Sequence, residues 1–298
     1  MTQTAAHLIR RILVALDASP SSRAALRAAA DLAAAMEAEL SGVAVEDIEL
    51  LRIGEAPLAQ EILYHSAEQS PMSRDLMERR LKAQSEHARA LLEKEANRVH
   101  VSWSFRSVKG NVVPEVLAAA GDVDLVAMGK VGWSFGGRHR VGSAAQELAL
   151  SPIPVLLLGE TGLSRHAQWV TQFDGSAASK GALNLTAQLA AATSGRIMIL
   201  LPMLSPEKSR VMRKDAEELL SGQDLGIRFR EIDLGDETSL FRALDAGAVD
   251  TVVVTSAEAL RKYPPLKSLL SQAEISFLVL GNGAEPSAQL PASRLAEN

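Results

Sequence analysis

The chain of 298 residues is 47% hydrophobic and carries a net charge of −5, enough for one large domain or two ordinary ones and too acidic for a broad nucleic-acid footprint. It has no cysteine, which excludes disulfides and thiolate chemistry and points to a reducing, cytoplasmic setting. Residues 1–7 lack the pattern of a secretory signal, and no apolar run nears the roughly 20 residues of a membrane span, so no membrane association is expected.

Strands and helices alternate from the start. Residues 11–16 form a short apolar strand. Ser19 has N-cap chemistry and Pro20 suits the first helical position. Residues 23–36 continue that helix, with Leu26, Ala29, Ala33 and Met36 on one face. Residues 40–45 read as a strand. A long connection follows over 46–74, punctuated by Pro57 and Ser70-Pro71, with a short helix expected over 58–63. Residues 78–98 form an amphipathic helix, 99–108 a strand, 114–120 a helix, 125–128 a strand, 143–150 a helix and 155–158 a strand.

The chain then repeats itself. Asp17-Ala-Ser-Pro-Ser-Ser-Arg-Ala-Ala-Leu26 returns 157 residues later as Asp174-Gly-Ser-Ala-Ala-Ser-Lys-Gly-Ala-Leu183, a spacing that marks duplicated domains. The second copy has strands over 169–173, 197–201, 227–234, 251–255 and 277–280. Its helices cover 179–192, 206–221, 239–246 and 266–273. Strands alternating with helices imply an α/β protein, here two tandem doubly wound five-stranded parallel-sheet sandwiches. The expected domains are 1–160 and 161–282, joined by a linker over 160–165, with 283–298 as a flexible tail.

Gly129-x2-Gly132-x9-Gly142-Ser143 lies between the strand ending at Met128 and the helix opening at Ser143. Glycine admits a bulky anion close to the backbone, and amides at a helix start favour negative charge. The stretch therefore reads as a phosphate cradle, of neither P-loop nor dinucleotide-fingerprint spacing. Its competing reading is a structural loop ahead of a Ser-capped helix. Lys130, Arg138, His139 and Arg140 give it a positive sign. Asp17, at a strand end, suits a ligand contact or a turn before Ser19; its return as Asp174 in a half without the glycines strengthens the second. Gly132-Trp-Ser134-Phe-Gly136 matches the G-x-S-x-G of serine hydrolases, but Ser134 lies several residues from both strand and helix, where that motif needs it between them. The six histidines show no metal-ligand spacing.

Val14-Ala-Leu-Asp17-Ala-Ser19, Lys109-Gly110 with Pro114-Glu115, residues 124–129, the spaced glycines and Pro152-Ile-Pro154-Val-Leu-Leu157 together carry a resemblance. From Arg11 to Gly281 the chain resembles the universal stress protein family in a tandem two-domain form. That resemblance implies a Rossmann-like, adenine nucleotide alpha hydrolase-like fold. It also implies that the first domain binds ATP or a related adenine nucleotide, with Mg2+ accompanying the phosphates. Ala15 would offer backbone to the adenine, Val45 would pair main-chain groups with the base edge, and Asp17 would hold the nucleoside. Gly129, Gly132, Gly142 and Ser143 would wrap ribose and phosphates, and Met128, Lys130 and Ala144 complete the expected set. The second domain departs from the pattern: after Thr255, residues 256–265 replace the glycines and end in two prolines, which supply no N–H. It is expected to act as a structural partner, with 155–158 pairing with 277–280 in an intramolecular pseudo-dimer; a homodimer of tandem chains remains open. No activated nucleophile or water-positioning base accompanies the cradle beyond Asp17. Binding and regulation in stress response is therefore expected, not enzymatic turnover, with slow ATP hydrolysis left open. The alternatives are a nucleotide-free interaction scaffold and, last, a serine hydrolase using Ser134.

Overall fold

The computed structural model describes residues 9–17, 19–54, 60–62, 69–71, 74–131, 141–245, 249–272 and 274–281. The chain enters through β1 (Arg11–Leu16), α1 (Pro20–Met36) and β2 (Glu39–Asp47). In the long connection stand α2 (Ile48–Gly54), β3 (Gln60–Ile62) and β4 (Gln69–Pro71). After α3 (Arg74–Val99), β5 (Trp103–Gly110), α4 (Val112–Ala119), β6 (Leu125–Gly129), α5 (Ser143–Leu148) and β7 (Val155–Leu158) close the first half. The second half opens with β8 (Gln168–Gln172), α6 (Ala177–Ala192), β9 (Arg196–Pro202), α7 (Pro206–Leu219) and β10 (Gly226–Ile232). It ends with α8 (Glu237–Asp245), β11 (Thr251–Val254), α9 (Ala257–Lys262), α10 (Pro264–Leu270) and β12 (Ser276–Val279).

Three local expectations change. Residues 60–62 are a strand paired with β4 rather than part of a helix, and Leu58 and Leu63 lie outside the described residues. Helix α3 extends to Val99, so β5 begins only at Trp103; nothing in the sequence breaks the helical turn before His100, whose φ of 59° ends it. Helix α9 was not expected ahead of Pro264-Pro265. It forms because the Ser256 hydroxyl accepts the Ala259 N–H at 3.2 Å and caps it.

Read outward from the middle, the sheet runs β7-β6-β1-β2-β5 on one side and β12-β11-β8-β9-β10 on the other. The two halves thus share one strand order. Pairs within each half are parallel. Apart from the separate two-stranded β3–β4 sheet, which is antiparallel, only β7 and β12 meet antiparallel among the described residues, with Phe277 opposite Leu157, Leu278 opposite Leu156 and Val279 opposite Val155. The expected pairing of 155–158 with 277–280 is present, and it fuses both doubly wound halves into one ten-stranded sheet.

Alternation along the strands divides the core. Ile12, Val14 and Leu16 join the cluster under α1, α3, α6 and α7, while Leu13 and Ala15 join the one under α4, α5, α8, α9 and α10. Each cluster runs through both halves. Small residues set the spacing of the helices. The buried face of α1 carries Ala25, Ala28, Ala29, Ala30 and Ala33, and a Cβ on Gly42 of β2 would fall 2.7 Å from Leu92 of α3.

Candidate functional site

Parallel strands bring their carboxyl ends to one rim, and in the first half that rim holds a cavity of about 730 Å³. Asp17 follows β1, Val45 closes β2, Met128 and Gly129 end β6, and Lys130, Gly142, Ser143 and Ala144 complete the wall. Ala15 lines an adjoining hollow of about 50 Å³ shared with Asp17, Val45, Met128 and Gly129. The structure thus brings these expected residues together. Gly132 lies outside the described residues, as do Ser134, Arg138, His139 and Arg140.

The backbone around the cradle is tied down at its base. The Gly142 N–H donates to the Lys130 carbonyl at 2.8 Å, so the amide of Gly142 is occupied. Ser143 and Ala144, the first residues of α5, have amides with no acceptor inside the helix. On the other side, the Ser21 hydroxyl donates to the Val131 carbonyl, with Ser19 Oγ 3.4 Å from the same oxygen. Gly129 is glycine because of this contact: a Cβ there would stand 2.5 Å from Ser21 Oγ and 2.7 Å from Ser22 N. Its missing side chain makes room for the start of α1.

Asp17 has a local role that the second half reproduces. Its Oδ1 accepts the Ser19 N–H at 2.9 Å, its own N–H donates to Ser22 Oγ, and Ser19 Oγ accepts the Ser22 N–H. In the second half, Asp174 Oδ1 accepts the Ser176 N–H at 3.0 Å, its N–H donates to Ser179 Oγ, and Ser176 Oγ accepts the Ser179 N–H. Burial works to raise the Asp174 carboxyl, but hydrogen bonds from Ser176 and Ser179 hold it below the usual range. The repeated aspartate therefore builds the strand-to-helix turn in both halves, and in the first half it also lines the cavity.

Lys130 departs from its expected place beside phosphates. Its ammonium points into the second half, donating to the carbonyls of Gln272 and, at 2.8 Å, Ile275. Burial pushes its pKa down to about 7. Only its main chain is left to serve the cavity.

The outer wall comes from α2, within the long connection over 46–74, and from α3, and none of its residues is in the expected set. Glu49 and Leu50 of α2 and Met77, Arg80, Leu81, Gln84 and Ser85 of α3 line the cavity. The signal was present in the positions 77, 81, 84 and 85, which share one helix face, whereas Ala88, Leu92 and Ala96 further along α3 pack on the sheet. The lining residues of known charge are mainly acidic among the described residues: Asp17, Glu46, Asp47, Glu49 and Glu147 against Arg80 and Lys130.

The corresponding rim of the second half is built differently. Ser256, two residues past the end of β11, caps α9, whose Ala257, Ala259 and Leu260 are buried. Helix α10 then buries Pro265, Leu266, Leu269 and Leu270. Apolar side chains occupy the stretch where the first half has its glycines.

An open α/β sheet wound on both faces, with a cavity beyond its strand ends, is the architecture that holds ligands at that rim. The universal stress protein family model matches residues 8–159, and the chain belongs to that family. Its fold is similar over 92% of its length to a universal stress protein from Archaeoglobus fulgidus DSM 4304, with a TM-score of 0.65, 14% identity and 98% of that chain covered. It is also similar to a protein of unknown function from Pseudomonas aeruginosa PAO1, with a TM-score of 0.53, 14% identity, and 93% and 94% of the two chains covered. The cytoplasmic domain of a prokaryotic cation chloride cotransporter shares the fold at a TM-score of 0.50 and 12% identity, over 93% of this chain and 98% of that one. These likenesses extend through both halves and concern the fold alone. No curated protein matches the chain in sequence.

Proposed function

We propose that the first half binds an adenine nucleotide, ATP or a close relative, and that the protein acts in stress response by binding and regulation rather than by turnover. One observation carries this reading. Residues from four separate stretches, at the ends of β1, β2 and β6 and the start of α5, converge on a single cavity, and its volume is that of an ordinary ligand site. Main-chain groups at Val45 would meet the base edge, beside Ala15 and Met128. The open amides of Ser143 and Ala144 would receive phosphate oxygens, helped by the Ser143 hydroxyl.

Mg2+ fits this site only in company with the phosphates. Among the described residues no group of three His, Cys, Asp or Glu side chains is disposed to hold a metal. An ion bound through phosphates and one or two carboxylates is the ordinary manner for Mg2+, and it would offset the acidic lining. The second half, residues 161–282, is the structural partner of residues 1–160, and the expected tail, 283–298, lies outside the described residues. The absence of cysteine supports a cytoplasmic setting. Among the described residues no helix is long and apolar enough to cross a membrane.

Thermal unfolding with and without ATP-Mg tests the reading. Ligand at about 100 times its Kd stabilises a folded protein by roughly 2.7 kcal/mol, so a clear rise in melting temperature is expected. No rise at millimolar ATP-Mg would leave the interaction scaffold as the better description.

A further inference from the structure

Lys130 is 0% exposed, a rare state for a lysine, and nucleotide binding does not account for it. Its side chain crosses the seam between the halves. Nζ donates to the Gln272 carbonyl and to the Ile275 carbonyl at 2.8 Å, both in the segment between α10 and β12, and it stands 4.8 Å from the centre of the Phe277 ring. The main chain of the same residue is fixed on the other side. Its N–H donates to the Leu158 carbonyl of β7 at 2.8 Å, and its carbonyl accepts the Gly142 N–H at 2.8 Å, just ahead of α5. Phe277 itself sits opposite Leu157 in the β12–β7 pairing.

One residue therefore touches the cavity floor, the start of α5, the central strand and the second half. An apolar side chain would fill the same space without the cost of burying an amine. What the lysine adds is a directional link, because its two bonded acceptors are main-chain groups of the opposite half.

We propose that Lys130 couples the halves: docking of β12 on β7 holds the cradle backbone in shape, and a ligand in the first-half cavity tightens that docking in return. The second half is then the regulator of the first-half site. Such coupling is reciprocal by thermodynamic necessity. The ligand named in the test rests on the nucleotide reading; the coupling itself has a ligand-free readout.

A double-mutant cycle between Lys130→Met and Phe277→Leu tests it through two measurements. One is amide exchange at Gly142 without ligand, referenced to the amides of β1 so that global loosening is removed. The other is the Kd for ATP-Mg by calorimetry. Each single variant is expected to speed exchange at Gly142 and to weaken ATP binding by about tenfold, an ordinary coupling strength. The double variant should be no worse than the worse single one, since both changes cut the same link. Additive effects in both measurements, or no effect of Phe277→Leu on either, would overturn the proposal. If the unaltered protein binds no ATP, the nucleotide reading falls and Gly142 exchange alone decides the coupling. Should Lys130→Met lose its cooperative melt, Lys130→Gln replaces it, and the same outcomes decide.

Discussion

Two glycines on the rim of the cavity serve different ends. Gly129 yields its Cβ position to Ser21 and Ser22 at the start of α1, whereas Gly142 caps α5 with φ −63° and ψ 150°, extended backbone open to any residue. Gly129→Ala should therefore cost roughly 1–3 kcal/mol of stability through overpacking. Gly142→Val should leave the melting temperature near that of the unaltered protein and abolish ATP binding, because a branched side chain fills the phosphate's space. Retained ATP affinity in Gly142→Val would count against the cradle. Lys130 makes a third prediction at this scale. Its folded pKa of about 7 lies below the ordinary 10.5, so between those values the unfolded chain holds a proton that the folded chain has shed. Stability from this position then rises with pH from about 7 upward and is at its lowest below 7. The unfolding free energy of the unaltered protein relative to Lys130→Met should climb by up to about 1.4 kcal/mol for each pH unit in that window. A flat or falling difference would contradict a desolvated amine. Sequence reading placed Gly142 and Ser143 beside the cavity, which they line, because a glycine and a serine there open an apolar helical run beyond a strand end. It misplaced the Lys130 ammonium because a basic residue in a glycine-rich stretch looks like a phosphate partner. Only the fold brings residues 272 and 275 within its reach.

Helices and strands place these residues with little slack. The start of α1 grips Val131 through Ser19 and Ser21, and Ala-rich packing keeps that helix near the sheet. The same Asp-x-Ser turn opens α1 and α6, which explains why that segment repeats most clearly in the sequence: both copies need the turn, whatever the rim holds. The first face of α3 was harder to read. Leu81 was recognisable as apolar at helical spacing, but a helix pattern does not say whether its stripe meets a sheet or a cavity, and here it meets each in turn. At the central seam, Gly281 lies just past β12, and a Cβ there would collide with the Pro152 carbonyl oxygen. Gly281→Ala must push β12 away from the segment before β7, at a cost of about 1–3 kcal/mol or more. Chemical denaturation reads that loss directly, and an unchanged midpoint would contradict so close a seam.

At the scale of the molecule, duplication has made an internal partnership. The seam pairs β7 with β12 and so removes two exposed sheet edges at once, with both core clusters continuous across it. The Gly159 N–H adds a bond to Ser276 Oγ at 3.3 Å across the same line. The tandem form followed from the 157-residue repeat and the alternation of apolar strands with helices, the central pairing was implied by the family resemblance, and the strand order is what the structure adds. The proposed asymmetry of function rests on the missing glycines after β11. What that reading could not supply was the outer wall from α2 and α3, which depends on how a long connection folds back over the rim. The central claim is that nucleotide binds in the first half and not in the second. A crystal structure of the protein grown with ATP-Mg tests it most directly. Density for an adenine against the main chain of Val45 and for phosphates over the amides of Ser143 and Ala144 is the predicted result. An empty first-half cavity, or nucleotide held at the rim of the second half, would contradict it.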